Sequence, residues 1–91
     1  MRIDKDCVVI VTGGSSGLGL GAVRLLASMG AKIVIADINS ASGEKVANEV
    51  NGAFFKVDVT DEGQVKGLFE FTQKTYGKVS AVINSAGVLT P

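Results

Sequence analysis

Four stretches of this chain are almost continuously apolar, and the three stretches between them carry apolar residues at helical spacing. The first kind comprises Cys7-Val8-Val9-Ile10-Val11, Lys32-Ile33-Val34-Ile35-Ala36, Ala53-Phe54-Phe55-Lys56-Val57 and Val79-Ser80-Ala81-Val82-Ile83. Near-uniform hydrophobicity over strand length, rather than alternation, is what a parallel strand covered on both faces requires. The second kind begins with Leu18, Ala22, Leu25, Leu26 and Met29, spaced i, i+4, i+7, i+8 and i+11. That spacing predicts a helix with this stripe inward, stopped by Gly30. A weaker helix is expected at about 40–50, with Val46, Ala47 and Val50 inward and Gly52 marking its end. A third, at about 61–76, places Val65, Leu68, Phe69 and Tyr76 inward, and Thr60-Asp61-Glu62 supplies the cap and the negative charge that suit a helix start. The order is β-α-β-α-β-α-β, which calls for right-handed crossovers and a parallel sheet.

Composition narrows the partners. Ninety-one residues suffice for one small domain, and a hydrophobic share of 46% supplies its core. Nine Lys+Arg balance nine Asp+Glu, so the basic excess that nucleic acid or an anionic membrane would want is missing. No apolar run approaches the roughly 20 residues needed to cross a bilayer. The opening Met1-Arg2-Ile3-Asp4-Lys5-Asp6 is not a secretory signal, so an intracellular setting, cytoplasmic or mitochondrial matrix, is expected. Cys7 is the single cysteine and the chain has no His, which points to a buried apolar role rather than a disulfide or a metal site.

The chemistry is concentrated after the first strand, in Thr12-Gly13-Gly14-Ser15-Ser16-Gly17-Leu18-Gly19. Phosphates want backbone N–H donors and the positive end of a helix, with no side chains in the way. Gly13 permits a tight turn out of the strand, Gly17 a close approach of pyrophosphate, and Gly19 close packing of the helix on the sheet. Ser15 and Ser16 can add hydroxyl donors or cap the helix. The G-x-G-x-x-G fingerprint is matched at no register, and the P-loop would need Lys where Leu20 stands, so an ATPase or GTPase is not expected. Asp37 ends the second strand, eighteen residues beyond Gly19. A carboxylate there can accept hydrogen bonds from both adenosine ribose hydroxyls and would repel a 2′-phosphate, which favours NAD over NADP.

The turn matches T-G-x-x-x-G-x-G, and with it the whole chain resembles the short-chain dehydrogenase/reductase family. Asp58-Val59 after the third strand and Asn84-Ser85-Ala86-Gly87 after the fourth extend the resemblance, with Ser85 departing from the family's N-N-A-G turn. The resemblance implies a Rossmann-type doubly wound α/β sheet, here about four strands in the order 3-2-1-4 with three helices, residues 1–91 being the N-terminal part of the NAD-binding domain. It implies NAD contacts at Gly13, Ser16, Gly17, Leu18, Gly19, Asp37, Asp58, Val59, Ser85, Ala86 and Gly87, with Asp58 on the adenine amino group and Val59 against the ring. It also implies reversible oxidation of a secondary alcohol. The run from Val11 to Leu20, with Asp58-Val59-Thr60, is most similar to the branch that acts on 3-hydroxyacyl-CoA thioesters and hydroxysteroids.

The family's catalytic serine and Y-x-x-x-K pair have no counterpart here. Tyr76 is the single tyrosine, and position 80, where the lysine would fall, holds Ser80. Without a phenol of lowered pKa the alcohol proton has no general acid/base, so no catalytic residue is assigned and the chain alone is expected to be inactive. A substrate would be met only in a longer form. The fourth strand is expected to be an open edge through which the chain self-associates.

Overall fold

The computed structural model describes residues 3–15 and 17–85. The elements run β1 (Val8–Thr12), α1 (Gly17–Ser28), β2 (Lys32–Asp37), α2 (Ser40–Val50), β3 (Ala53–Lys56), α3 (Glu62–Tyr76) and β4 (Ala81–Asn84). All strands are parallel, in the order β3-β2-β1-β4. The alternation of segments predicts the parallel sheet, and the strand order is the doubly wound Rossmann-type one that the resemblance implies.

The continuous apolar runs are explained by two cores, one on each face of the sheet. Val9, Val11, Ile33 and Ile35 point to the side covered by α1 and α2, where they meet Val23, Leu26, Val46 and Ala47. Ile10, Val34 and Ala36 point to the other side and meet Val57 and Leu68 of the α3 layer. Cys7, just ahead of β1, is buried in the first core. Tilted ring packing of Phe55 on Phe71, with centroids 5.1 Å apart, ties β3 to α3. The outer strands do not share this double burial. β3 is half-buried, and β4 alternates half-buried with exposed, because only β1 and β2 have a strand on each side and a helix on each face.

The inner face of α2 is as predicted, that of α3 departs at Phe69, and that of α1 is displaced, with Leu26 common to both stripes. In α1 the buried residues are Gly19, Val23 and Leu26, while Leu18, Leu25 and Met29 are 91%, 63% and 47% exposed. The helix bears two apolar stripes, and the one containing Gly19 wins because it lets the backbone sit closest to the sheet. In α2, Gly43 is buried with Val46 and Ala47, its Cα facing the Phe54 ring, while Val50 lies at the margin of the core. The end of α2 is capped by Asn51, which takes the left-handed conformation at φ 56° and donates its N–H to the carbonyls of Ala47 and Asn48. Asn tolerates that region, and Gly52 completes the end by donating its N–H to the Ala47 carbonyl at 2.8 Å. Gly52 is also needed where the chain passes Ile33, whose carbonyl oxygen would lie 2.6 Å from an added Cβ. In α3, Thr72 takes the core position expected of Phe69, which is 37% exposed. The Thr72 hydroxyl donates to the Leu68 carbonyl one turn earlier at 2.8 Å, which lets a polar side chain be buried without an orphaned group. The start of α3 is as expected, with Asp61 accepting from the Gln64 N–H.

Candidate functional site

The parallel order brings the carboxyl ends of all four strands to one edge, where ligands of open parallel sheets bind. β1 leaves through Gly13, which is in the left-handed region at φ 68°, and Gly17 follows at φ 59°, where an added Cβ would meet nothing within 4 Å among the described residues beyond its chain neighbours and its own helix. The turn is sewn to both neighbouring strands. The Gly13 N–H donates to the Ala36 carbonyl at 2.7 Å, and the Ser85 N–H donates to the Thr12 carbonyl at 3.1 Å. The Thr12 hydroxyl donates to Asn84 Oδ1 at 2.8 Å. Gly19 lies beneath the turn, where an added Cβ would collide with the Gly13 carbonyl and sit 2.5 Å from Ser85 Oγ. Its place is therefore structural as well as local: it closes α1, the turn and the end of β4 into one unit. Gly14 is less confined, an added Cβ there lying 3.1–3.2 Å from the Val11 carbonyl oxygen, Val23 and Ile35.

A cleft of about 140 Å³ opens beside this turn, lined by Gly13, Ala36, Asp37, Ile38, Val57, Asp58 and Val59. Four of the residues singled out by sequence, Gly13, Asp37, Asp58 and Val59, thus share one cleft. Gly17 and Leu18 lie exposed at the start of α1, outside that lining. Ser85 is on the β4 side of the turn, where its hydroxyl donates to the Thr12 carbonyl at 2.5 Å. Ser16, Ala86 and Gly87 lie outside the described residues. Sequence reasoning missed Ala36, Ile38 and Val57. They flank Asp37 and Asp58 at the ends of β2 and β3, so the strand ends themselves were the available signal.

Asp37 is held on both oxygens. Ser15 donates to Oδ2 with its hydroxyl and, at 3.3 Å, with its N–H, and the Asn39 N–H donates to Oδ1 at 3.1 Å. Partial burial pushes the carboxyl pKa up, but the hydrogen bonds from Ser15, Asn39 and Ile38 outweigh it and leave Asp37 below the usual carboxylate value. Ser15 thus serves the carboxylate rather than a helix cap. Asp58 is lowered as well, first by the Thr60 hydroxyl and then by the Thr60 N–H, both on Oδ1. The cleft therefore carries two ionised carboxylates at neutral pH, with apolar walls between them.

Such a site fits the adenosine end of a dinucleotide. The exposed, unhindered Cα of Gly17 leaves room for phosphates, Asp37 offers acceptors to a ribose diol, and Val59 and Ile38 offer apolar surface to a base. A model of the short-chain dehydrogenase family matches residues 7–91. The chain belongs to the short-chain dehydrogenase family. Members typically bind NAD or NADP. Short-chain dehydrogenase reductase 5 of Arabidopsis thaliana is 39% identical over 93 residues, covering 99% of this chain and 36% of the relative. Short-chain dehydrogenase reductase 3a of the same plant is 41% identical over 98% of this chain and 35% of its own length. The (+)-cis,cis-nepetalactol synthase NEPS3 of Nepeta racemosa is 45% identical over 90% of this chain and 32% of its own length. The chain thus spans about a third of the length of the curated relatives it matches.

Proposed function

We propose that this chain is the NAD-binding portion of an oxidoreductase that converts a secondary alcohol to a ketone, with 3-hydroxyacyl-CoA thioesters or hydroxysteroids as its substrate class. The observation that carries the NAD reading is the Asp37 carboxylate, fixed at the rim of the cleft beside the glycine turn. An ionised group there accepts from ribose hydroxyls and repels a 2′-phosphate. The substrate class rests on the resemblance of the run from Val11 to Leu20 and of Asp58-Val59-Thr60. Bound NAD would supply the hydride acceptor. What the chain's own residues do is grip: Gly13 and Gly17 clear the path to the backbone, Asp37 orients the ribose, and Val59 packs on the base.

Tyr76 does not supply the missing proton transfer. It packs against the core on the α3 side, and burial pushes its phenol pKa up, the reverse of what a general base requires. Titration of NAD into the chain, followed by calorimetry, is expected to show saturable binding. NADH absorbance with a secondary alcohol or a 3-hydroxyacyl-CoA is expected to stay flat. Absence of NAD binding overturns the reading, and turnover by the chain alone overturns its inactivity.

The exposed β4 edge favours a second reading, an NAD-binding or interaction module without catalysis that pairs with another chain through that strand. Co-elution with a longer relative, without gain of activity, would select it.

A further inference from the structure

We propose that Ser15 is a specificity-determining residue: by pinning the Asp37 carboxylate at the rim of the cleft, it makes the chain select NAD over NADP through the Ser15–Asp37 pair rather than through Asp37 alone. The inference rests on the dinucleotide reading above and adds a residue to it. Ser15 and Asp37 are 22 positions apart and leave the ends of two adjacent strands, yet both donors of Ser15 converge on the one oxygen Oδ2. The Asn39 N–H holds the other oxygen. An aspartate has only two side-chain torsions, and three hydrogen bonds on two oxygens fix both.

Fixing the charge matters because selectivity is a difference between two ligands. A carboxylate free to rotate can turn away from a 2′-phosphate and relieve the repulsion, whereas a tethered one cannot. The same contact also occupies the N–H and hydroxyl of Ser15, two donors beside Asp37 that a 2′-phosphate could otherwise use. Ser15 therefore acts twice against NADP, by holding a negative charge in place and by withdrawing its own donors.

The test is a double-mutant cycle on the whole chain, with NAD and NADP binding measured by calorimetry for the wild type, Ser15→Ala, Ser15→Thr, Asp37→Ala and the Ser15→Ala/Asp37→Ala pair. The wild type is expected to prefer NAD, Ser15→Ala to narrow that preference roughly tenfold, as loss of one hydrogen bond to a charged group implies, and Ser15→Thr to restore it. In the Asp37→Ala background the freed Ser15 donors are expected to favour NADP, so removing Ser15 there weakens NADP binding instead. Ser15→Cys, which keeps the volume and weakens the donor, replaces the alanine variant if that one does not fold.

Carboxyl NMR supplies an independent readout. The Asp37 pKa is expected below the usual value in the wild type and nearer to it in Ser15→Ala. Since a lowered folded-state pKa gives stability that is present above the unfolded value and lost as pH falls through the folded one, acid unfolding should begin at a higher pH in the variant. An unchanged NAD to NADP ratio in a folded Ser15→Ala chain overturns this inference and leaves the dinucleotide reading standing. A wild type that binds neither nucleotide overturns both.

Discussion

At the scale of single residues, backbone geometry dictates residue type in the glycine turn, whereas the tether of Asp37 is set by how two strands are paired. Positive φ at Gly13 and contact at Gly19 leave glycine as the residue without strain, so the spacing of glycines encodes the turn. The Ser15–Asp37 contact depends on the β1–β2 register, which pairs Thr12 with Ala36 and so brings the turn after β1 to the last residue of β2. No local pattern announces that. Gly19 and Gly21 make a sharp comparison, because they stand two positions apart in one helix and only the first is confined. Gly19→Ala is expected to cost about 3 kcal/mol through overpacking against a backbone carbonyl that cannot yield, and to abolish NAD binding by displacing the turn. Gly21→Ala meets open space and should stabilise the chain by about 0.5–1 kcal/mol from helix propensity. Urea unfolding of both variants, with equal m-values required, decides whether the turn is as tightly closed as the geometry says.

At the scale of elements, each helix and strand is legible in the sequence, and so are the inner face of α2 and most of that of α3, while the inward stripe of α1 is not. The period of α1 is right, but the inward stripe is displaced: Leu18, Leu25 and Met29 form a coherent apolar row that points to solvent. Hydrophobicity alone ranks that row first, since it contains the largest side chains. Close seating on the sheet ranks it second, since a helix carrying Gly19 and Val23 toward Val9, Val11 and Ile35 can approach more closely than one carrying leucines. Phe69 and Thr72 in α3 show that side-chain polarity alone does not rank burial, since the satisfied hydroxyl is buried and the ring is 37% exposed. The assignment is testable by paired substitutions. Val23→Ala should cost about 2 kcal/mol, because it removes methyls from a fully buried site. Leu25→Gln should change stability by less than about 0.5 kcal/mol. If thermal unfolding shows the reverse ranking, Leu25 belongs to the core and α1 is rotated from the position described.

At the scale of the whole molecule, the sheet is unevenly covered among the described residues. β1 and β2 are sealed on both faces, whereas β4 is the outer strand of the described sheet, with its free edge beyond. On the α3 side Val82 is 45% exposed and borders a second apolar cleft of about 170 Å³, with Thr12, Val59, Val65, Leu68, Phe69 and Asn84 as its other walls. An open edge beside an exposed apolar surface is a template for pairing with another strand. A chain of this size buries only about two-thirds or less of the surface it exposes when unfolded, so covering that edge would add appreciably to its stability. We therefore expect the chain to be marginal as a monomer and to self-associate through β4. Sedimentation velocity across a concentration series should show mass rising with concentration, and the melting temperature should rise with it, as mass action requires. Val82→Lys places a charge beside the edge at a residue outside the lining of the Asp37 cleft, though it shares its own cleft with Val59, so it should shift the distribution toward monomer with NAD binding retained. A wild-type chain that sediments as a single monomer and melts cooperatively at low concentration would show that β1 and β2, buried on both faces, suffice to hold the fold, and that the β4 edge needs no partner.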